Sequence, residues 1–198
     1  MAESSIVDLI RHGEPVGGRR YRGQMDDPLS DEGWRQMMDA VEGCREWQHI
    51  VTSPLRRCRE FAIRLGKQLD IPVQDEARFK EIGFGVWEGR TAEELRRSDP
   101  EFLACFYNDP ITHRPEGAED SRVFIDRVDN AWRELLACHA GQHVLVVAHA
   151  GVIRAVIGHV LEMPACNMFR LQIDNASISR IRIETGRPPT LVFHNGRI

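Results

Sequence analysis

Three apolar runs in this chain break off into residues that can hold and attack an anion. "IVDLIRHG" passes from Ile10 into Arg11, His12 and Gly13, the "HIVTSP" run ends just before Leu55, Arg56 and Arg57, and "VLVVAHAG" passes from Ala148 into His149, Ala150 and Gly151. Two imidazoles and at least two guanidiniums, if brought together, suit a phosphate. Guanidiniums match its oxygens in a fixed fork, and a neutral imidazole has the lone pair for attack on phosphorus. Each residue also has a plainer reading. A histidine after a strand is commonly a hydrogen-bonded structural group, and "RHGEPVGGRRYRG", with Arg11, Arg19, Arg20 and Arg22 answered only by Glu14, also reads as a solvated basic loop.

What decides between these readings is whether the three breaks meet. Ile6–Ile10 and Val144–Ala148 have the length and β-branched content of strands covered on both faces, and "HIVTSP" reads as a short strand. Between and after them lie helix signals: Ser30 as an N-cap before Asp31 and Glu32 with Gly43 as a stop, Pro54 at the start of "LRRCREFAIRLGKQLD", and a helix following His149–Ala150–Gly151. "FRLQID", "SISRIRIE" and "TLVFHN" read as C-terminal strands. The alternation predicts an α/β fold, a three-layer α/β/α sandwich with a mostly parallel central sheet, built from residues 1–198 as a single domain. Such sheets bind ligands beyond the carboxyl ends of their strands, where all three breaks would converge. Arg56 and Arg57 suit a helix start poorly, because the helix dipole prefers anions there, unless an anion sits between them and the helix.

Composition excludes several other classes. With 198 residues, 42% of them hydrophobic and 28% charged, the chain can bury one good core. It shows no signal-peptide pattern and no run of eighteen apolar residues, so a soluble, cytoplasmic protein with no membrane association is expected. A net charge of −4 gives no reason to expect a nucleic-acid partner. Cys44, Cys58, Cys105, Cys138 and Cys166 are odd in number and contain no C-x-x-C, which argues for reduced, mostly buried thiols rather than a disulfide framework or zinc site. The strand-end histidines are accompanied by arginines rather than aspartates, so no metal and no cofactor is called for. There is no G-x-x-x-x-G-K-[ST] loop. "CREFAIR" matches C-x5-R through Cys58 and Arg64, but Phe61, Ala62 and Ile63 belong to an amphipathic helix instead of a phosphate-cradling loop. His49, His113, His139, His143, His159 and His194 lack a comparable setting and read as structural or exposed.

Along nearly the whole chain, four motifs in order carry a family resemblance. "LIRHGEP" resembles the signature of the histidine phosphatase superfamily, the phosphoglycerate-mutase-like proteins. "YRGQMDDPLSDEGWRQ" is similar to its G-x-x-D-x-P-L-S/T-x-x-G segment, joined to "SPLRRC", "KEIGFGVWEG" and "VVAHAGVIR". The resemblance implies that His12 is the nucleophile that becomes phosphohistidine, that Arg11, Arg57, His149 and Ala150 bind the phosphoryl group, and that Glu81 donates the proton. It places the arginine of S-P-L-x-R on Arg57 and leaves Arg56 as the variable position. Arg22, Gly23, Asn175 and Ser177 are implied as substrate-binding positions. Where relatives often have G-G/E-S after a proline, this chain has "PEGAEDS"; Glu119 is a further candidate for the pocket and a second candidate for the acid.

The chemistry beside that resemblance is consistent. Fixed guanidiniums stabilise charge on the equatorial oxygens of a transferring phosphoryl group. Their field favours neutral His12, whose second nitrogen would be held by a backbone carbonyl near Gly13. Ile82, Phe84 and Trp87 give Glu81 an apolar neighbourhood that would favour the protonated acid. Residues 90 to 114 form only a short segment between Gly89 and the Pro115 motif, which favours water over retention of a bisphosphate and so hydrolysis over mutase chemistry. The expected partner is a small phosphorylated metabolite. Among short relatives the chain resembles α-ribazole-5′-phosphate phosphatases through "GVWEGRTAEELRR". A phosphoglycerate-mutase-type transferase and a non-catalytic phospho-ligand binding module remain as alternatives. A homodimer is compatible with the sequence and not required by it.

Overall fold

The computed structural model describes residues 4–197. Its strands β1 (Ser4–Arg11), β2 (His49–Thr52), β3 (Val73–Asp75), β4 (His143–Ala148), β5 (Ile178–Glu184) and β6 (Thr190–Gly196) form one sheet in the order β3-β2-β4-β1-β5-β6. The first four are parallel; β5 runs antiparallel to β1, and β6 to β5. Helices α1 (Asp31–Ala40) and α2 (Arg56–Leu69) cover one face, and α5 (Ser121–Cys138) and α6 (Ala150–Val160) the other. The short helices α3 (Ala92–Ser98) and α4 (Pro100–Asn108) pack with Trp87 in a separate apolar cluster.

Strand alternation divides the core. Val7 and Leu9 of β1 and Val144, Val146 and Ala148 of β4 pack with α5 and α6, while Ile10, Leu145 and Val147 pack with α1 and α2. β4, with neighbours on both sides, is buried at every residue. One polar residue interrupts β1. Asp8 is fully buried but satisfied, accepting from Trp47 Nε1 at 2.9 Å and from Arg180 Nε and Nη2 at 2.8 and 2.9 Å, with His143 Nε2 at 2.8 Å.

Helix ends explain the local differences from expectation. Ser30 Oγ caps α1 by accepting from Gly33 N at 3.0 Å, as its sequence predicts. The helix stops at Ala40, because Val41 and Glu42 tighten into i−3 bonds before Gly43 turns at φ +78°. Pro54 lies one residue ahead of the extended N-cap Leu55, so α2 starts at Arg56. The anion at that helix start is supplied by the protein: Arg56 N donates to Asp26 Oδ1 at 2.7 Å.

"FRLQID" is not a strand. Residues 165–170 form a 3-10 turn, and the carbonyls of Leu171 and Ile173 are taken by the side chains of Arg154 (2.9 Å) and Arg11 (2.6 Å) instead of a sheet neighbour. Nor are the cysteines mostly buried: Cys58 is, whereas Cys105 and Cys138 are exposed and Cys44 and Cys166 partly so, and none forms a disulfide. Among the described residues, no helix is long and apolar enough to cross a membrane.

Candidate active site

The sheet register brings the three breaks level. Arg11 pairs with Ala148 and Thr52 with Val147, so β1, β2 and β4 end side by side. Two bonds carry the register past the strand ends: His12 N donates to Ala148 O and Ser53 N to Val147 O, each at 3.0 Å. Beyond them opens a cavity of about 620 Å³ lined by Arg11, His12, Arg22, Gly23, Arg57, Glu81, Ala150 and Asn175.

His12 is oriented by its own turn. Its Nδ1 lies 2.8 Å from Gly13 O, and a carbonyl only accepts, so Nδ1 carries the proton and the neutral ring leaves its lone pair on Nε2. Burial holds His12 well below the ordinary imidazole range, and the guanidiniums of Arg11 and Arg57 push the same way. The sequence argument rested on those charges; burial is the larger cause. Gly13 is required for a reason besides its flexibility. A Cβ there would lie 2.3 Å from Gly33 O, so only glycine lets this turn pack on the first turn of α1.

Two arginines surround that ring. Arg11 Nη1 is spent on Ile173 O, while Arg57 donates from Nη1 to Met25 O at 2.6 Å and from Nη2 to Gly23 O at 2.8 Å. The Nε–H groups of both arginines are buried and have no protein partner, and both side chains line the cavity. Burial lowers the Arg11 guanidinium to about 10, partly offset by Glu81. Arg56, by contrast, is exposed and pairs with Glu60 at 2.7 Å.

His149 is fully buried, its ring centroid 5.2 Å from that of His12, and Nε2 lies 2.7 Å from Ser53 Oγ. Burial again, then Arg57, holds it well below the ordinary imidazole range. Cys58 Sγ lies behind it at 3.7 Å from Nε2, and burial pushes that thiol up, so it serves as packing instead of as a thiolate. Ala150 starts α6 at the cavity wall.

Glu81 enters from an irregular segment, 8% exposed, with Oε1 accepting from Ile82 N at 3.0 Å and Oε2 from Gly151 N at 3.1 Å. Its setting is not the apolar one expected. Ile82 and Trp87 turn into two different cores, and the Glu81 carboxyl faces main-chain N–H groups and the charges of Arg11 and Arg154.

The substrate-binding candidates divide. Arg22 lines the cavity but is held by Asp27 Oδ2 at 3.0 Å and by Val16 O and Gly18 O. Gly23 lends its carbonyl to Arg57, and Asn175 Nδ2 reaches His12 O at 3.4 Å. Ser177 does not line the cavity; its Oγ donates to Asp174 O at 2.8 Å and its carbonyl accepts from Arg11 N, so it braces the end of β1. Glu119 does not line it either, because both its oxygens are taken by Arg127. Sequence reasoning missed Ser53, which sits inside the "SPLRRC" motif directly at the end of β2, and Gly151 and Arg154 of "HAGVIR". Position after a strand end would have flagged Ser53, and Gly151 closes the His149–Ala150–Gly151 break without a sign of its contact with Glu81; nothing local marks Arg154.

The whole-chain comparison fits this geometry. Residues 7–196 match the profile of the histidine phosphatase superfamily, branch 1. The chain belongs to that superfamily. Among its relatives, the probable phosphoglycerate mutase GpmB of Citrobacter koseri is 31% identical over 88% of this chain and 83% of that protein. The native mycobacterial glucosyl-3-phosphoglycerate phosphatase superposes with a TM-score of 0.87 at 28% identity, over 98% of this chain and 99% of that one. A putative α-ribazole-5′-P phosphatase of Escherichia coli K-12 gives 0.84 at 29% identity, over 98% and 97%. The strand-end arginines and histidines of this histidine phosphatase are thus set in the sheet of its superfamily.

Proposed function

We propose that this protein is a phosphomonoesterase that hydrolyses a small phosphorylated metabolite through a phosphohistidine on His12. The observation that carries the reading is the neutral His12 ring, Nδ1 tied to Gly13 O, beside two buried arginines whose Nε–H groups have no protein partner. In the first step Nε2 forms a bond to phosphorus as the ester P–O bond breaks. Arg11, Arg57 and His149 hold the equatorial oxygens, and Glu81, in its protonated form, gives its proton to the departing oxygen. In the second step water attacks phosphorus, the N–P bond breaks, and the Glu81 carboxylate takes the proton from water. The first proton leaves with the alcohol, the water proton replaces it on Glu81, and the enzyme ends in its starting protonation state.

For the substrate, α-ribazole-5′-phosphate is supported by the sequence resemblance and by an aromatic side of the cavity, Tyr21, Phe84, Tyr107 and Phe169, suited to a flat base. A phosphoglycerate-type acid, and with it mutase chemistry, is favoured by a different observation: Arg19, Arg154 and Arg170 line the same cavity without an acidic ion-pair partner among the described residues. A panel containing both esters, assayed for free phosphate and for phosphate moved between hydroxyls, separates the two readings. Rapid quench with labelled ester should trap acid-labile phosphate on His12. Label that never forms, or that persists in His12→Ala, overturns the phosphohistidine on His12, and absence of both label and phosphate release leaves the non-catalytic binding module.

A further inference from the structure

All five N–H donors of Arg127, on α5, end on acceptors of the segment that carries Glu81 or of Glu119. Nε donates to Glu119 Oε1 at 2.7 Å, and Nη2 to Glu119 Oε2 at 2.9 Å and to Glu81 O at 3.2 Å. Nη1 donates to Lys80 O at 2.9 Å and to Arg78 O. A guanidinium has five such hydrogens and no acceptor, so this side chain is fully used. Glu119 extends the same clamp: its Oε2 accepts from Gly83 N at 3.2 Å and its own N–H donates to Gly83 O at 3.0 Å. The pair is 19% exposed on each side, which rules out a merely solvated surface contact.

The segment needs such a clamp. From Lys80 to Phe84 it is neither helix nor strand, so no ladder fixes its backbone. Further support comes from Phe79 and Ile82, buried in the core, and from Gln24 Nε2, which reaches Glu81 O at 3.4 Å. Gly151 N also donates to Glu81 Oε2 at 3.1 Å, and Glu88 Oε1 accepts from Phe84 N at 3.0 Å, but none of these contacts is a hydrogen bond to the backbone of residues 78–80. Arg127 is itself braced, its Cζ 4.8 Å from the ring centroid of Phe124.

We propose that Arg127 and Glu119 form a positioning pair that sets the backbone of residues 78–83 and thereby the place of the Glu81 carboxyl in the cavity. The inference rests on Glu81 being the proton donor proposed above. It also gives "PEGAEDS" a role: Glu119 acts on the site from behind Glu81 and touches no substrate. Lysine offers three donors on a single nitrogen and cannot reproduce this planar set, so Arg127→Lys is not conservative here.

The test measures formation of phosphohistidine from an alkyl phosphate and from p-nitrophenyl phosphate in Arg127→Met, Arg127→Lys, Glu119→Gln and Glu81→Gln. A displacement near 1 Å costs about 10²-fold, so Arg127→Met should lose roughly that with the alkyl ester and markedly less with the aryl ester, which needs little protonation. Substrate half-saturation should stay near wild type, because neither residue lines the cavity. In a Glu81→Gln background, Arg127→Met should add no further alkyl-specific loss. If Arg127→Met does not fold, Glu119→Gln keeps the shape and the bond to Gly83 N and should show the same leaving-group dependence more weakly. Equal losses with both esters, or additive losses with Glu81→Gln, overturn the positioning role while Glu81→Gln alone still discriminates between esters. If Glu81→Gln does not discriminate, the proton-donor reading itself falls, and the inference with it.

Discussion

Gly151→Ala separates catalysis from stability in one substitution. A Cβ at this position would lie 2.2 Å from Glu81 Oε1, 3.2 Å from its Cδ and 3.3 Å from Phe124 Cζ. To regain van der Waals contact, Oε1 must retreat by about 1 Å, and the 3.1 Å bond from Gly151 N to Oε2 is disturbed with it. A 1 Å misplacement of a reacting group costs on the order of 10²-fold, about 2.7 kcal/mol of transition-state stabilisation. The helix term has the opposite sign. Gly151 is the second residue of α6 and its φ is not positive, so alanine is conformationally acceptable and favours the helix by up to about 1 kcal/mol. The helix gain offsets part of the crowding at Glu81 and Phe124, so the variant should stay folded with a melting temperature within a few degrees of wild type while phosphorylating His12 about a hundredfold more slowly from an alkyl phosphate. Thermal unfolding and rapid-quench trapping of the phosphoenzyme read the two quantities separately. Wild-type phosphorylation in a folded Gly151→Ala enzyme would refute the placement of Glu81 against the α6 N-terminus as a condition for proton transfer.

Three further outcomes follow from the same site. Glu81→Gln should slow phosphorylation by an alkyl ester within the roughly 10²–10⁴-fold scale of general acid catalysis and spare an activated aryl ester, whereas Arg57→Ala should slow both alike; paired single-turnover rates check it, and equal losses in Glu81→Gln remove it as the acid. Exhaustive chelation should leave activity intact, since the cavity presents several guanidiniums and the His12 imidazole; loss restored by a divalent ion would contradict the proposed chemistry. Stability should fall as pH drops below about 6.5, because the unfolded chain protonates His12 and His149 there while burial keeps both neutral in the fold, each contributing at most about 1.4 kcal/mol per pH unit. Asp8, held below its ordinary range by His143, Arg180 and Trp47 against the cost of burial, adds a loss of the same sign only near and below the ordinary aspartate value of 3.8. Urea midpoints from pH 7.5 to 5 check this, and a flat profile, or one unchanged in His149→Asn, goes against it.

The sequence by itself determined the layered fold and marked His12 and the strand-end arginines as candidates, because each is written locally. Apolar runs that stop at Arg11–His12–Gly13 and His149–Ala150–Gly151 mark strand ends wherever the strands lie, and alternating β and α signals leave few ways to stack them. The strands "SISRIRIE" and "TLVFHN" were legible for the same reason. "FRLQID" was misread because its apolar alternation is that of a strand while its backbone acceptors went to Arg154 and Arg11, two side chains distant in sequence. Only the tertiary structure decided that β4 lies between β1 and β2, and so that His12 and Arg57 share one cavity while the buried His149 packs against the His12 ring. It alone decided that Asp26 supplies the anion at α2, that Gly151 makes room for Glu81, and that Glu119 belongs to Arg127. Those are contacts between side chains and backbone tens of residues apart or on separate elements. Their distances are set by how the layers pack, and no local pattern of residue types records them.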